Sequence, residues 1–137
     1  MWTIQPIARF VALYVLIPLS WSSATAQEAQ ASRVALKSGE STDLDVLYFV
    51  GNCKSILVSK PEVEILEGPP ELSLSVREEM VLPRRQACSN KVSGGILVLK
   101  AADVSESKQA RLTYRIKYKT KDGDRQRSNV YNVSLFP

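Results

Sequence analysis

The stretch Arg111–Phe136, RLTYRIKYKTKDGDRQRSNVYNVSLF, decides the fold class of this chain. In its first half apolar residues alternate with polar or basic ones, the pattern of a strand with one buried and one solvated face. Asp122-Gly123 is typical of a two-residue type I′ hairpin turn, because both central positions of that turn need positive φ. With this turn we expect Tyr114 to face Tyr131 in an antiparallel hairpin.

The rest of the chain repeats short apolar runs that are divided by turn residues, about every 8–12 residues, which is typical of a β-sandwich or barrel. No stretch keeps an apolar 3.6-residue period for three turns, so no long helix is expected, and only Ala101–Gln109 could hold a helical turn or a long corner. The sequence therefore predicts an all-β fold, an antiparallel β-sandwich of about 7–8 short strands. The predicted strands are Arg33–Leu36, Leu44–Val50, Ser55–Ser59, Val63–Leu66, Leu72–Arg77, Gly95–Ala101, Arg111–Thr120 and Ser128–Phe136.

The first 26 residues have the three parts of a secretory signal peptide. A segment with one cation, Arg9, precedes the apolar run Phe10–Leu19, and the segment ends in the small-x-small triplet Ala24-Thr25-Ala26. The apolar run is too short to cross a bilayer, which takes about 20 residues. The alternative is a buried strand or helix of the fold. We expect cleavage after Ala26, an exported (periplasmic or secreted) mature chain of one domain over residues 27–137, and no transmembrane segment in that form.

Cys53 and Cys88 are the two cysteines of the chain. In an exported domain two cysteines most often form one disulfide. Closing a loop of this length stabilises a domain by about 3–4 kcal/mol in the chain-entropy account. The alternative, two free thiols in a redox or metal site, is disfavoured because the chain has no Cys-x-x-Cys spacing and no histidine.

A family resemblance is carried by the C-terminal hairpin. Leu112–Tyr118, the Asp122-Gly123 turn and Asn129–Leu135 resemble the last hairpin of immunoglobulin-like domains, and the whole chain is similar to small exported bacterial proteins of unassigned function. The resemblance implies an immunoglobulin-like sandwich over most of residues 27–137 and carries no activity, partner or cofactor with it.

Catalytic and metal chemistry find little support in these residues. The absence of histidine excludes every histidine-based triad, dyad or metal site. Three carboxylate pairs remain, at Asp43/Asp45, Glu62/Glu64 and Glu78/Glu79. The first two pairs have i,i+2 spacing on strands, so each should share one solvated face, whereas a hydrolase needs two acids in different environments. Calcium bound by Glu40, Asp43 and Asp45 is the alternative for the first pair, but the sequence lacks a DxDxDG loop. We expect no enzyme activity, no cofactor and no metal.

Charge is distributed very unevenly along the predicted mature chain. Residues 27–82 hold 5 Lys+Arg and 10 Asp+Glu, a net of −5, whereas residues 83–137 hold 12 Lys+Arg and 4 Asp+Glu, a net of +8. Pro83-Arg84-Arg85 and Arg125/Arg127 form local basic clusters. The candidate anion-binding face consists of alternating cations on the first strand of the hairpin: Arg111, Arg115, Lys117 and Lys119.

That basic face could attract an anionic polysaccharide, lipid headgroups or an acidic protein. The alternative is a solvated outer face whose cations are neutralised by acidic side chains from the other half of the chain. Nucleic acid is not expected, because the stripe lacks exposed aromatic residues for base stacking. The predicted function is a non-enzymatic, exported binding module, with the basic face and the loops Gly51–Lys54 and Pro83–Cys88 as its surfaces. A small periplasmic enzyme or enzyme inhibitor is the alternative.

Overall fold

The computed structural model describes residues 31–84 and 87–137, so the predicted signal peptide, residues 1–26, lies outside the described part. Within these ranges the chain forms strands and no helix, which confirms the all-β prediction. The predicted corner after residue 101 is an irregular connection. The strands are β1 (Ser32–Lys37), β2 (Ser41–Leu47), β3 (Val50–Gly51), β4 (Lys54–Ser55), β5 (Glu62–Glu67), β6 (Leu72–Val81), β7 (Val92–Ala101), β8 (Lys108–Thr120) and β9 (Gly123–Phe136).

Two sheets pack against each other around one main core. The four-stranded sheet has the order β1-β9-β8-β5, and the three-stranded sheet has the order β2-β7-β6. Leu47, Leu97 and Leu99 of the three-stranded sheet are fully buried. They share one apolar cluster with Leu112 and Ile116 of the four-stranded sheet. Each such side chain contributes about 1.5–3 kcal/mol by leaving water, so this shared cluster holds the two sheets together.

One edge of the four-stranded sheet departs from the predicted antiparallel arrangement. Strand β1 pairs with β9 in parallel, with Ser32 opposite Tyr131 and Lys37 opposite Phe136. The alternation of β1 is compatible with either direction, because the side-chain period is 2 in both cases. The parallel pairing brings Arg33 beside Asn132 on the outer face of the sheet.

The predicted C-terminal hairpin exists, but its predicted register is wrong by two residues. Tyr114 pairs with Asn129, and Leu112 pairs with Tyr131. The two-residue loop is Lys121-Asp122, and Gly123, at φ 111°, is the turn residue that takes positive φ. A shift of two residues leaves every side chain on its predicted face, because the strand period is 2.

Gly94-Gly95 lies inside β7, because the strand predicted from Gly95 begins earlier, at Val92. A Cβ atom at Gly94 would lie 2.3 Å from the backbone oxygen of Leu47 and 2.7 Å from a methyl carbon of Val81. The glycine therefore allows β2 and β6 to approach β7 closely from both sides.

A second, smaller apolar cluster lies on the outer face of the three-stranded sheet. Val81, Val92 and Ile96 are buried there, and Tyr48 and Val50 pack against them. The chain that follows β2 thus turns back over this face and covers it. The predicted strand Ser55–Ser59 shrinks to the end of the two-residue β4 and one bridge between Leu57 and Thr120, where the Val58 amide donates to the carbonyl oxygen of Lys119.

Candidate functional site

The predicted disulfide between Cys53 and Cys88 is confirmed, with Cα atoms 5.4 Å apart. Cys53 and Asn52 form the two-residue turn between β3 and β4, at φ 59° and 50°. Cys88 lies in the connection between β6 and β7, so the bond joins the two loops proposed as surfaces; residues 85–86 of the second loop lie outside the described ranges. A disulfide of this kind indicates an oxidising environment, such as the periplasm or the extracellular space.

The four residues of the candidate anion-binding face lie together on the outer face of the four-stranded sheet. Their neighbours on β8, from Leu112 to Tyr118 at alternate positions, are buried in the core. Arg111, Arg115, Lys117 and Lys119 therefore point away from the core, as the alternation predicts.

The middle of this face is ion-paired within the sheet. Strand β5 lies beside β8, and its Glu64 accepts hydrogen bonds from Arg115 at 3.1 Å and from Lys117 at 3.2 Å. Glu62, also on β5, lies directly opposite Lys117 of β8. Such half-exposed pairs stabilise a fold by only about 0–1 kcal/mol each. Glu64 and Glu62 together nevertheless place two carboxylates beside the two cations.

The end of the face near Arg111 is different. Register places Arg33 of β1, Asn132 of β9 and Arg111 of β8 in one row across three neighbouring strands. Together with Gln109 and Ser134 they line a shallow groove of about 500 Å³, and none of the described residues that line it is acidic. Neither arginine forms an ion pair with any residue in the described ranges. This basic row therefore concentrates uncompensated positive charge.

A second groove opens where the two sheets meet near the β8–β9 turn, and Asp45, which follows a β-bulge in β2, lines it. The bulge at Leu44 puts Asp43 opposite Val98 and Asp45 opposite Leu97, a fully buried core residue. The expectation that Asp43 and Asp45 share a solvated face is therefore wrong, because the extra residue turns Asp45 toward the space between the sheets.

In this groove Asp45 holds Arg127 of the opposite sheet. Its Oδ2 accepts a hydrogen bond from Arg127 at 2.6 Å, and its Oδ1 accepts one from the amide of Val46 at 2.8 Å. The Arg127 guanidinium lies 5.9 Å from the centre of the Tyr118 ring, whose other neighbour is Phe49 at 5.7 Å. Burial raises the pKa of Tyr118 to about 12, so its hydroxyl stays protonated at neutral pH.

The sequence indicated parts of both grooves but not their assembly. Arg125 and Arg127 stood out as a basic cluster, yet Asp45, the partner of Arg127, lies far away in the chain. Arg33 joins Arg111 only through the parallel pairing of β1. Among the described residues, no group of three or more His, Cys, Asp or Glu side chains is placed to hold a metal ion.

No known protein family, curated protein or solved structure matches this chain significantly. In the described part of the chain, no helix is long and apolar enough to cross a membrane. The disulfide, the basic row and the groove between the sheets are therefore the features from which a function is argued.

Proposed function

We propose that this protein is an exported, non-enzymatic binding module of immunoglobulin-like architecture that binds an anionic envelope polysaccharide through the outer face of its four-stranded sheet. The observation that carries the proposal is the basic row, in which Arg33 and Arg111 flank Asn132 without a carboxylate partner in the described chain. The disulfide and the signal-peptide pattern of residues 1–26 support export.

The spacing of the basic row suits a polymer that carries a charge on its repeating units. Strands lie about 4.8 Å apart, so Arg33 and Arg111, two strands apart, start about 10 Å from each other. A guanidinium binds a carboxylate or sulfate through two parallel hydrogen bonds, and the Asn132 amide can hydrogen-bond hydroxyl groups between them. A chain of acidic sugars would therefore contact all three side chains at once.

An anionic polymer fits this face better than an anionic membrane does. At the far side of the sheet β5 presents Glu62, Glu64 and Glu67. A broad negative surface pressed onto the whole face would meet these carboxylates and be repelled, whereas a narrow chain can follow the basic row alone. An anionic membrane is therefore the less favourable partner for this face.

The test reverses the charge of the basic row. We expect Arg33→Glu/Arg111→Glu to weaken binding to an immobilised acidic polysaccharide at low salt by about tenfold or more, because two charge-assisted contacts become repulsive. The matched control is Lys91→Glu/Lys100→Glu, which makes the same change in net charge at two exposed positions, one just before β7 and one in it. Wild-type binding should also weaken with added salt.

Three results would contradict the proposal. These are absence of wild-type binding at low salt, an equal loss in both double variants, and preference for anionic vesicles over the polysaccharide. Equal losses would mean that net charge alone drives the association, and a preference for vesicles would make the partner a membrane surface.

Export has its own test. We expect the protein recovered from the cell envelope or medium to begin at Gln27, since the pattern of residues 1–26 favours cleavage after Ala26. Trp2 and Trp21, the two tryptophans of the chain, would both be removed. N-terminal sequencing checks the cleavage, and emission excited at about 295 nm should lack the indole signal. A recovered chain that still begins at Met1 would contradict the prediction.

A further inference from the structure

The groove between the sheets combines an aromatic floor with an excess of positive charge. Among the described residues, three arginines, Arg84, Arg125 and Arg127, line its volume of about 420 Å³, against one carboxylate, Asp45. The floor is apolar and comprises Val46, Phe49, Val50 and Tyr118. This groove lies between the sheets, whereas the basic row lies on the outer face of one of them.

Asp45 balances only one of these arginines. Both of its oxygens are engaged, by Arg127 and by the Val46 amide. Arg125 donates to the carbonyl oxygen of Asp124 at 3.3 Å and, like Arg84, forms no ion pair with a described residue. Two cationic side chains beside an apolar floor are therefore available to a ligand.

Arg127 itself also has an unused hydrogen-bond donor. Its Nε is buried and has no hydrogen-bond partner among the described residues. A buried donor without an acceptor costs about 1–3 kcal/mol, which an acceptor placed in the groove would offset. The ion pair and the Tyr118 ring hold this guanidinium in place before any ligand arrives.

We propose that this groove binds a small ligand in which a compact oxyanion is attached to a flat, apolar ring. The oxyanion, a carboxylate or a phosphate, would lie between Arg125 and Arg84, where each guanidinium can donate two hydrogen bonds. The ring would pack on Tyr118 and Phe49, whose own rings are already tilted against each other. This site is independent of the polysaccharide contact and requires neither export nor the basic row.

Nuclear magnetic resonance titration of the ¹⁵N-labelled protein tests the site, with benzoate and phenyl phosphate as probes. We expect saturable shifts of the amide signals of Phe49, Tyr118 and Gln126, which line the groove. Benzamide, which keeps the ring but lacks the charge, should bind about tenfold more weakly, and inorganic phosphate, which lacks the ring, should also bind about tenfold more weakly than phenyl phosphate.

Arg125→Gln is the informative variant, because Arg125 is exposed and its loss should leave the fold intact. We expect it to weaken both probes about fivefold or more, and Arg84→Gln to do the same by a smaller factor. The matched control Arg111→Gln removes an exposed arginine of the basic row and should leave probe affinity unchanged. The proposal is overturned by shifts that do not saturate at millimolar probe, by equal affinity for benzamide and benzoate, or by an equal loss in Arg111→Gln.

Discussion

Of the six glycines, Gly94 has the least room for a side chain. The nearest atom to a Cβ added there is the backbone oxygen of Leu47, at 2.3 Å. A side chain can rotate away from such a contact, but a paired backbone carbonyl cannot. The position therefore excludes every residue larger than glycine unless β2 moves away from β7.

We expect Gly94→Ala to lower the free energy of unfolding by about 2–3 kcal/mol, in the range of overpacked cores. Denaturant unfolding followed by circular dichroism measures this. Ser93→Ala is the control, because Ser93 precedes Gly94 on β7 and its side chain is exposed, so its effect should stay within about 0.5 kcal/mol. A Gly94→Ala protein as stable as the wild type would show that β2 can move apart at no cost.

Single charged residues show where sequence patterns stop being informative. The alternation on β8 places Arg111, Arg115, Lys117 and Lys119 on one face correctly, because a period of 2 is local. It cannot say that Glu64 pairs with two of them, because that pairing depends on which strand lies beside β8. The position of the Asp45 side chain is harder still to predict, since the bulge that turns it inward has no fixed sequence signature.

Among the elements, the turn of the β3–β4 hairpin carries an uncommon combination of residues. Both central positions have positive φ, which suits Asn52 but is unfavourable for Cys53. A residue with a Cβ atom in this region costs about 1–2 kcal/mol. The turn nevertheless keeps a cysteine there, because that side chain joins it to the β6–β7 connection.

Two double variants distinguish the effect of the disulfide on stability from the effect of the positive φ in the turn. We expect Cys53→Ala/Cys88→Ala to lose about 2–4 kcal/mol of stability with the disulfide. Cys53→Gly/Cys88→Ala should be about 1 kcal/mol more stable than the alanine variant, because glycine adopts φ 59° without a steric penalty. Thermal and denaturant unfolding of both proteins measure the difference. If the glycine variant is the less stable of the two, the turn has relaxed to negative φ without the bond.

The β8–β9 hairpin shows how an element can be predicted while its register is not. Asp122-Gly123 was expected to fill both loop positions, but Asp122 keeps negative φ and Gly123 alone takes the positive value. A two-residue loop of Asp122-Gly123 and one of Lys121-Asp122 are both compatible with this sequence. They differ only in which residues pair on either side of the loop. The sheet face on which each side chain lies was therefore predicted correctly. The predicted cross-strand pairs, such as Tyr114 with Tyr131, were wrong.

For the whole molecule, buried tyrosines link stability to alkaline pH. Burial raises the pKa of Tyr118 to about 12, and it also raises the pKa values of Tyr114 and Tyr131. An unfolded tyrosine loses its proton near pH 10, so between pH 10 and 12 the unfolded state binds fewer protons than the folded state. The free energy of unfolding therefore falls as pH rises through this window and is unaffected by these groups below it.

We expect Tyr118 to account for about 2–3 kcal/mol of that loss by pH 12. Tyr118→Phe should consequently show a shallower decline between pH 10 and 12, measured by denaturant unfolding at each pH. Lysine deprotonation acts on both proteins equally, so the difference between them isolates the phenol. Identical profiles would mean that Tyr118 ionises in the folded state as readily as in the unfolded one.

The parallel pairing of β1 with β9 also sets an order of events during biosynthesis. Almost the whole described chain lies between the two strands, so the first strand has no partner until the last one has been made. Contacts between such distant segments are slow to form, because a long loop must close first. A nascent chain of this protein thus cannot complete its four-stranded sheet until the residues of β9 have left the ribosome.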